Sequence, residues 1–203
     1  MKSDGNAEGK VKVFWFFSSE KNAFFLLLSA ALITFRAAAA PMPKDPAALD
    51  IADVFSHTCL HNGAQPGRVA AWAVQQKLPE LGPTDARKDL VADGPDARAW
   101  LIRGPATNML LAVRGSSGSC AVYGEHADAA DFGRVYDMYL SFLAPPGTKM
   151  ERQPDRVSQG TFGTVLKRSA TIYAKHGKRT EFLMSVNEGK AGPYQMELVI
   201  ATH

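Results

Sequence analysis

Two cysteines, Cys59 and Cys120, give the sharpest chemical signal in the chain. Cys59 shares a helical face with Ile51 and Phe55, and Cys120 lies in the strand-like run Ser119-Cys120-Ala121-Val122-Tyr123. An even pair with both side chains directed inward, in a chain that reads as exported, predicts one structural disulfide. Closing its 61-residue loop would contribute about 4 kcal/mol on chain-entropy grounds. A redox or nucleophilic cysteine would call for a C-x-x-C motif or a nearby basic neighbour, and the sequence supplies neither.

Asp53, His57 and His61 follow one another at i+4 steps on the helical face opposite Cys59. Two imidazoles and a carboxylate are a common zinc set, so these three are the candidate metal ligands. Strung along one helix, they span too much length to converge easily. The expectation is therefore an Asp53–His57 pair in solvent and a His61 that interacts with the helix C-terminus, with no metal and no other cofactor. Gly115-Ser116-Ser117-Gly118-Ser119 lacks the G-x-S-x-G elbow and the phosphate-binding pattern, and it sits between two strands; it reads as a hairpin loop. Asp128 and Asp131 suit the start of a helix, while His126 and His176 stand beside turns. No catalytic and no cofactor-binding residue is assigned.

The elements that would position these residues form an α+β pattern. Ala47 to Asn62 has the spacing of one helix with Ile51, Val54, Phe55, Thr58 and Cys59 on its apolar face, and Pro66 opens a second that runs to about Leu78. Thr84 to Pro95 is a polar connection. Three apolar runs, Ala97–Arg103, Asn108–Arg114 and Ser119–Tyr123, separated by Gly104-Pro105 and the serine-glycine loop, predict a meander. Asp128 then caps a central amphipathic helix that carries Phe132, Val135, Tyr136, Tyr139, Leu140 and Leu143. Further strands are expected over Thr161–Ala174, around Phe182, Met184 and Val186, and through Tyr194, Met196, Leu198 and Ile200. Short connections make the pairing antiparallel. Alternation in these last strands implies that their sheet has one wet face and one packed on helices, with the Phe132 to Leu143 stripe as the partner.

The first 39 residues read as a signal peptide: Lys10, Lys12 and Lys21 precede an apolar run from Ala23 to Phe35, and small residues follow at 37–40. Residues 40–46 form a short leader, and 47–203 a single domain. Of 23 basic and 20 acidic residues, five and three lie in the signal segment, so 18 and 17 remain and the domain is close to neutral. That balance excludes the clustered basic surface that nucleic acid requires. Contact with a membrane is expected only through the signal segment, should it stay uncleaved as an inner-membrane anchor.

The signal segment, the Phe55–Cys59 helix, the Trp100 strand and Gly118-Ser119-Cys120-Ala121-Val122 together resemble a group of small uncharacterised exported bacterial proteins and lipoproteins. The resemblance covers about Val54 to Val122, and this chain lacks the lipobox cysteine of the lipoprotein members. It implies an envelope location and no activity. The functional expectation is a periplasmic or secreted, non-enzymatic binding or accessory protein, inhibitor-like or immunity-like, with an envelope protein or small ligand as partner. The alternative is an envelope hydrolase that uses a metal on His57 and His61. Intact mass of the exported protein should show loss of residues 1–39; a mass that still includes Phe24 to Phe35 would make it membrane-anchored.

Overall fold

The computed structural model describes residues 41–82, 97–115, 117–160, 163–174, 177–189 and 192–203. Three strands come first: β1 (Arg98–Arg103), β2 (Asn108–Arg114) and β3 (Ser119–Gly124). After the central helix follow β4 (Lys149–Arg152), β5 (Arg156–Gly160), β6 (Gly163–Tyr173), β7 (Arg179–Asn187) and β8 (Met196–Thr202). All eight join one antiparallel sheet in the order β1-β2-β3-β8-β7-β6-β4, with β5 continuing the β4 edge along β6. The last strand, β8, is thus inserted beside β3 and unites the N-terminal meander with the C-terminal strands.

Among the described residues three helices cover one face: α1 (Pro46–Phe55), α2 (Pro66–Gln75) and α3 (Ala129–Leu143). Proline at the first turn suits both α1 and α2, where its missing N–H costs no helical bond. Trp100, Leu111, Val122, Phe182, Met184 and Leu198 point from the sheet into the helical layer and meet Ile51, Phe55, Phe132, Val135 and Leu140. Burial of each such side chain is worth about 1.5–3 kcal/mol. Four aromatic rings tie α1, α3 and β7 together: Tyr136 stacks on Phe182 at 4.8 Å, and Phe55 lies 5.5 Å from Tyr139 and 5.7 Å from Phe182. At Gly124 the Ile51 side chain comes so close that an added Cβ would collide with its Cδ1, so a larger residue there would force Ile51 to move.

Aspartates lock the starts of α1 and α3 together. Asp45 caps α1 by accepting from the Ala48 N–H at 3.0 Å, and the same Oδ2 accepts from the Asp128 N–H at 2.9 Å. In return Asp131, in the first turn of α3, accepts from the Lys44 and Asp45 N–H groups at 2.9 and 2.6 Å and pairs with Arg134. Asp128 completes the exchange by accepting from the Asp131 N–H at 2.9 Å. Each carboxylate satisfies helix-terminal donors where negative charge is favoured.

The single helix expected over 47–62 is interrupted. After Phe55 the chain takes a π-helical turn, Ser56–Leu60, in which the His61 N–H bonds to the Ser56 carbonyl and the Ala64 N–H to that of Cys59. Two hydroxyls enter the α-helical ladder at this point: Thr58 Oγ1 donates to the Val54 carbonyl at 2.7 Å and Tyr139 to that of Ala52 at 2.6 Å. Such insertions are a known cause of local unwinding. The turn leaves both Thr58 and Cys59 fully buried.

The wet face expected of the C-terminal strands does not extend over the whole sheet: on β1 to β3 the outer face buries Ala99, Leu110, Ala112, Ala121 and Tyr123, with Leu81, Tyr194 and Val199 packed against them. The apolar run Met109 to Val113 is continuous, not alternating, and a strand covered on both sides has that signature. Tyr194 lies before β8, beside Tyr123 on the outer face, while Met196, Leu198 and Ile200 face the helices; Pro193 cannot donate to a ladder and the pleat starts only at Met196. β4 and β5 had no sequence signal because nearly all their side chains are exposed and so carry no alternation. The polar connection Thr84–Pro95 lies outside the described residues.

Cys59 and Cys120 are bonded, with 5.4 Å between their Cα atoms. The bond joins the π-helical turn to β3, beside Val113 of β2 and Ile200 of β8. Replacing both cysteines by alanine should lower stability by about 2–5 kcal/mol and leave the far-ultraviolet dichroism native. Thermal melts with and without reductant check this; an unchanged Tm would show that the bond contributes nothing.

Candidate functional site

In-register antiparallel pairing sets directly opposed residues on the same face of a sheet. On the outer face, away from the helices, it lines up Tyr123 of β3, Glu197 of β8, Ser185 of β7, Lys167 of β6 and Arg156 of β5. Ser185 Oγ donates to Glu197 Oε2 at 2.6 Å. The Tyr123 hydroxyl hydrogen-bonds to the same carboxylate, with Arg114 Nη2 at 3.5 Å on its other side. Burial pushes the Tyr123 phenol well above its ordinary pKa; the Glu197 charge adds to the rise and Arg114 opposes it. Ser185 and Tyr123 are 7% and 5% exposed, so both hydroxyls act as fixed supports. Neutral donors orient the carboxylate without cancelling its charge. Among the described residues neither Glu197 nor Lys167 enters an ion pair.

Tyr123, Glu197, Ser185 and Lys167 floor a cavity of about 410 Å³. Ser158, Gln159 and Gly160 form one wall, and Asn187, Tyr194 and Gln195 the other. The Tyr194 ring stands 6.2 Å from that of Tyr123 at an interplanar angle of 57°. Asn187 Oδ1 accepts from the Gly189 N–H at 3.0 Å and shapes the loop after β7. Gly163, at φ 127°, lets the β5–β6 hairpin close onto that loop, because a Cβ there would stand 2.7 Å from Gly189 Cα. Lys167 also borders a second hollow of about 390 Å³ that extends past Arg156, Thr171 and Glu181. The two make a polar trough along β6.

The helical layer has its own concavity, about 400 Å³, between the π-helical turn and α3. Ser56, Leu60, His61, Met138, Tyr139 and Phe142 line it, and Phe142 is 74% exposed. It is mostly apolar, with the Tyr139 hydroxyl already committed to Ala52.

The structure places the metal candidates apart. His57 Nδ1 lies 3.2 Å from Asp53 Oδ1 and 2.9 Å from the Asp53 carbonyl, on the exposed side of α1. His61 follows the π-helical turn, whose wider winding carries it off the Asp53–His57 line to the edge of the apolar concavity. Among the described residues no three His, Cys, Asp or Glu side chains gather at one point. Ser117 and Ser119 share a 2.9 Å hydroxyl contact in the β2–β3 hairpin; Ser116 and His176 lie outside the described residues. Sequence reading missed Glu197, Ser185, Lys167 and Tyr194. A weak signal existed in the polar residues alternating with Met184, Val186, Met196 and Leu198, but only strand order shows that they meet.

Tyrosine titration provides a check on this packing. Burial raises the Tyr136 and Tyr139 phenols to about 12, and Tyr123 rises for the same first cause. A raised phenol pKa means that the unfolded chain ionises first, near the ordinary value of about 10. Stability is therefore fully present below pH ~10 and should fall between about 10 and 12. In a variant with Tyr173 and Tyr194 replaced by phenylalanine, melting temperature followed across that range with phenolate absorbance should show ionisation and unfolding together; phenolate appearing near pH 10 in that variant while still folded would place these rings in solvent.

No protein-family model, curated protein or solved structure matches this chain, so the functional reading rests on the geometry of the trough.

Proposed function

We propose that the mature chain is an exported, non-enzymatic binding module of the cell envelope, and that it holds its ligand or partner in the trough on the outer face of the sheet. Export is supported by the charged leader and apolar run before residue 40, and by a buried disulfide of the kind that persists in oxidising compartments. Among the described residues no helix is long and apolar enough to cross a membrane.

One observation carries the binding reading: the Glu197 carboxylate is fixed by two buried hydroxyls on neighbouring strands and shares a cavity with Lys167, away from any ion pair among the described residues. Charged groups fixed in a concave surface before a ligand arrives lower the ordering cost of binding. The same geometry favours recognition over chemistry. Ser185 is nearly buried and its proton is directed at Glu197, so it supports the carboxylate and cannot reach a substrate.

Nuclear magnetic resonance of the labelled mature protein, titrated with the small-molecule fraction of an envelope extract, tests the reading. Shifts should gather on Lys167, Ser185, Asn187 and Glu197. Shifts confined to Leu60, Met138 and Phe142 would move the site to the helical layer, and a silent trough would remove the proposal.

A further inference from the structure

We propose that the trough takes a zwitterion of the α-amino-acid class, a free amino acid or a dipeptide, with its ammonium on Glu197 and its carboxylate on Lys167. This inference rests on the trough being the binding site.

Charge makes the first argument. Glu197 and Lys167 face the same cavity with opposite signs and without mutual contact. An anionic ligand would meet the carboxylate of Glu197, a cationic one the ammonium of Lys167, and a neutral polyol would hydrogen-bond to both and neutralise neither. Only a ligand that carries both signs answers both groups.

Spacing makes the second. The backbones of Glu197 on β8 and Lys167 on β6 are separated by β7, hence by two strand spacings, or about 10 Å. Glu197 leans over β7, where Ser185 Oγ meets its carboxylate at 2.6 Å, so the gap left to Lys167 is shorter than that separation. A short ligand with an ammonium and a carboxylate close together, as in an α-amino acid, suits such a gap. One more residue adds about 3.5 Å, which the long, exposed Lys167 side chain can absorb by leaning outward.

Surroundings make the third. On the Glu197 side the half-buried Tyr194 presents aromatic surface, tilted against the buried Tyr123 ring, and aromatic faces attract ammonium groups. On the Lys167 side Ser158 and Gln159 line the wall, where a carboxylate finds neutral donors. A cavity of about 410 Å³ lies within the range of small-ligand sites, about 300–1,000 Å³.

The test is isothermal calorimetry of the mature protein against individual protein amino acids and Ala-Ala at millimolar concentration, followed for the best binder by its N-acetyl and C-amide forms. At least one probe should bind, and blocking either end should weaken binding about tenfold or more. Lys167→Ala should reproduce the loss seen on amidation and leave the amide's own affinity unchanged; Glu197→Gln should do the same for acetylation. Lys167 is exposed, so its variant keeps the fold even if Glu197→Gln does not. Blocked forms that bind as tightly as free ones while shifting trough resonances would overturn the zwitterion and leave the trough standing. No response to any probe would also overturn the zwitterion, and the trough itself falls only if the envelope fraction is silent there too.

Discussion

The bond between Cys59 and Cys120 is the constraint on which the arrangement of layers depends. It fixes an irregular turn of backbone to a central strand, where neither a helical ladder nor a sheet ladder could hold it. From that point α1 runs back across β3, Ile51 fills the space above Gly124, and the aspartate exchange sets the start of α3 against the start of α1. The covalent link and the hydrogen-bonded clasp sit at opposite ends of α1, so its position and its direction are both determined. An apolar face alone would allow the helix to slide or rotate; a helix pinned at both ends cannot.

The sheet separates two kinds of surface. Towards the helices it is apolar and densely packed, which makes the strands a stiff plate. Away from them its character changes along the strand order, from buried alanine and leucine on β1 to β3 to hydroxyl, amide and charge on β6 to β8. Glu197 stands at this boundary. Its own strand is held on both sides by ladders and by side chains beneath, so the carboxylate inherits the rigidity of the core while it faces solvent. Rigid strands position a polar group more accurately than a loop does.

Sequence reading recovered what depends on local periodicity. The meander, the capping aspartate at position 128 and the joined cysteines all follow from patterns within one element or from composition. It failed where the deciding partner is distant. Nothing near Ser56 announces a π-helical turn, and one of the hydroxyls that join the ladder there belongs to a tyrosine 87 residues away. Nothing near Val157 announces β5, since an exposed edge strand needs no alternation. The trough illustrates the same limit: Tyr123, Ser185, Glu197 and Lys167 sit on four strands, and they become neighbours only once β8 is known to lie between β3 and β7.

The clasp around Asp131 has a consequence for how this domain can be attached to anything else. Lys44 and Asp45 are held by their backbone to the first turn of α3, and Pro41 to Pro43 lie against Arg134, Asp137 and Met138 on the helical side. Pro41 is therefore held on the helical side of the sheet, away from the trough. A support coupled chemically at Pro41 would join the domain by its helical side and leave the polar face of the sheet uncovered.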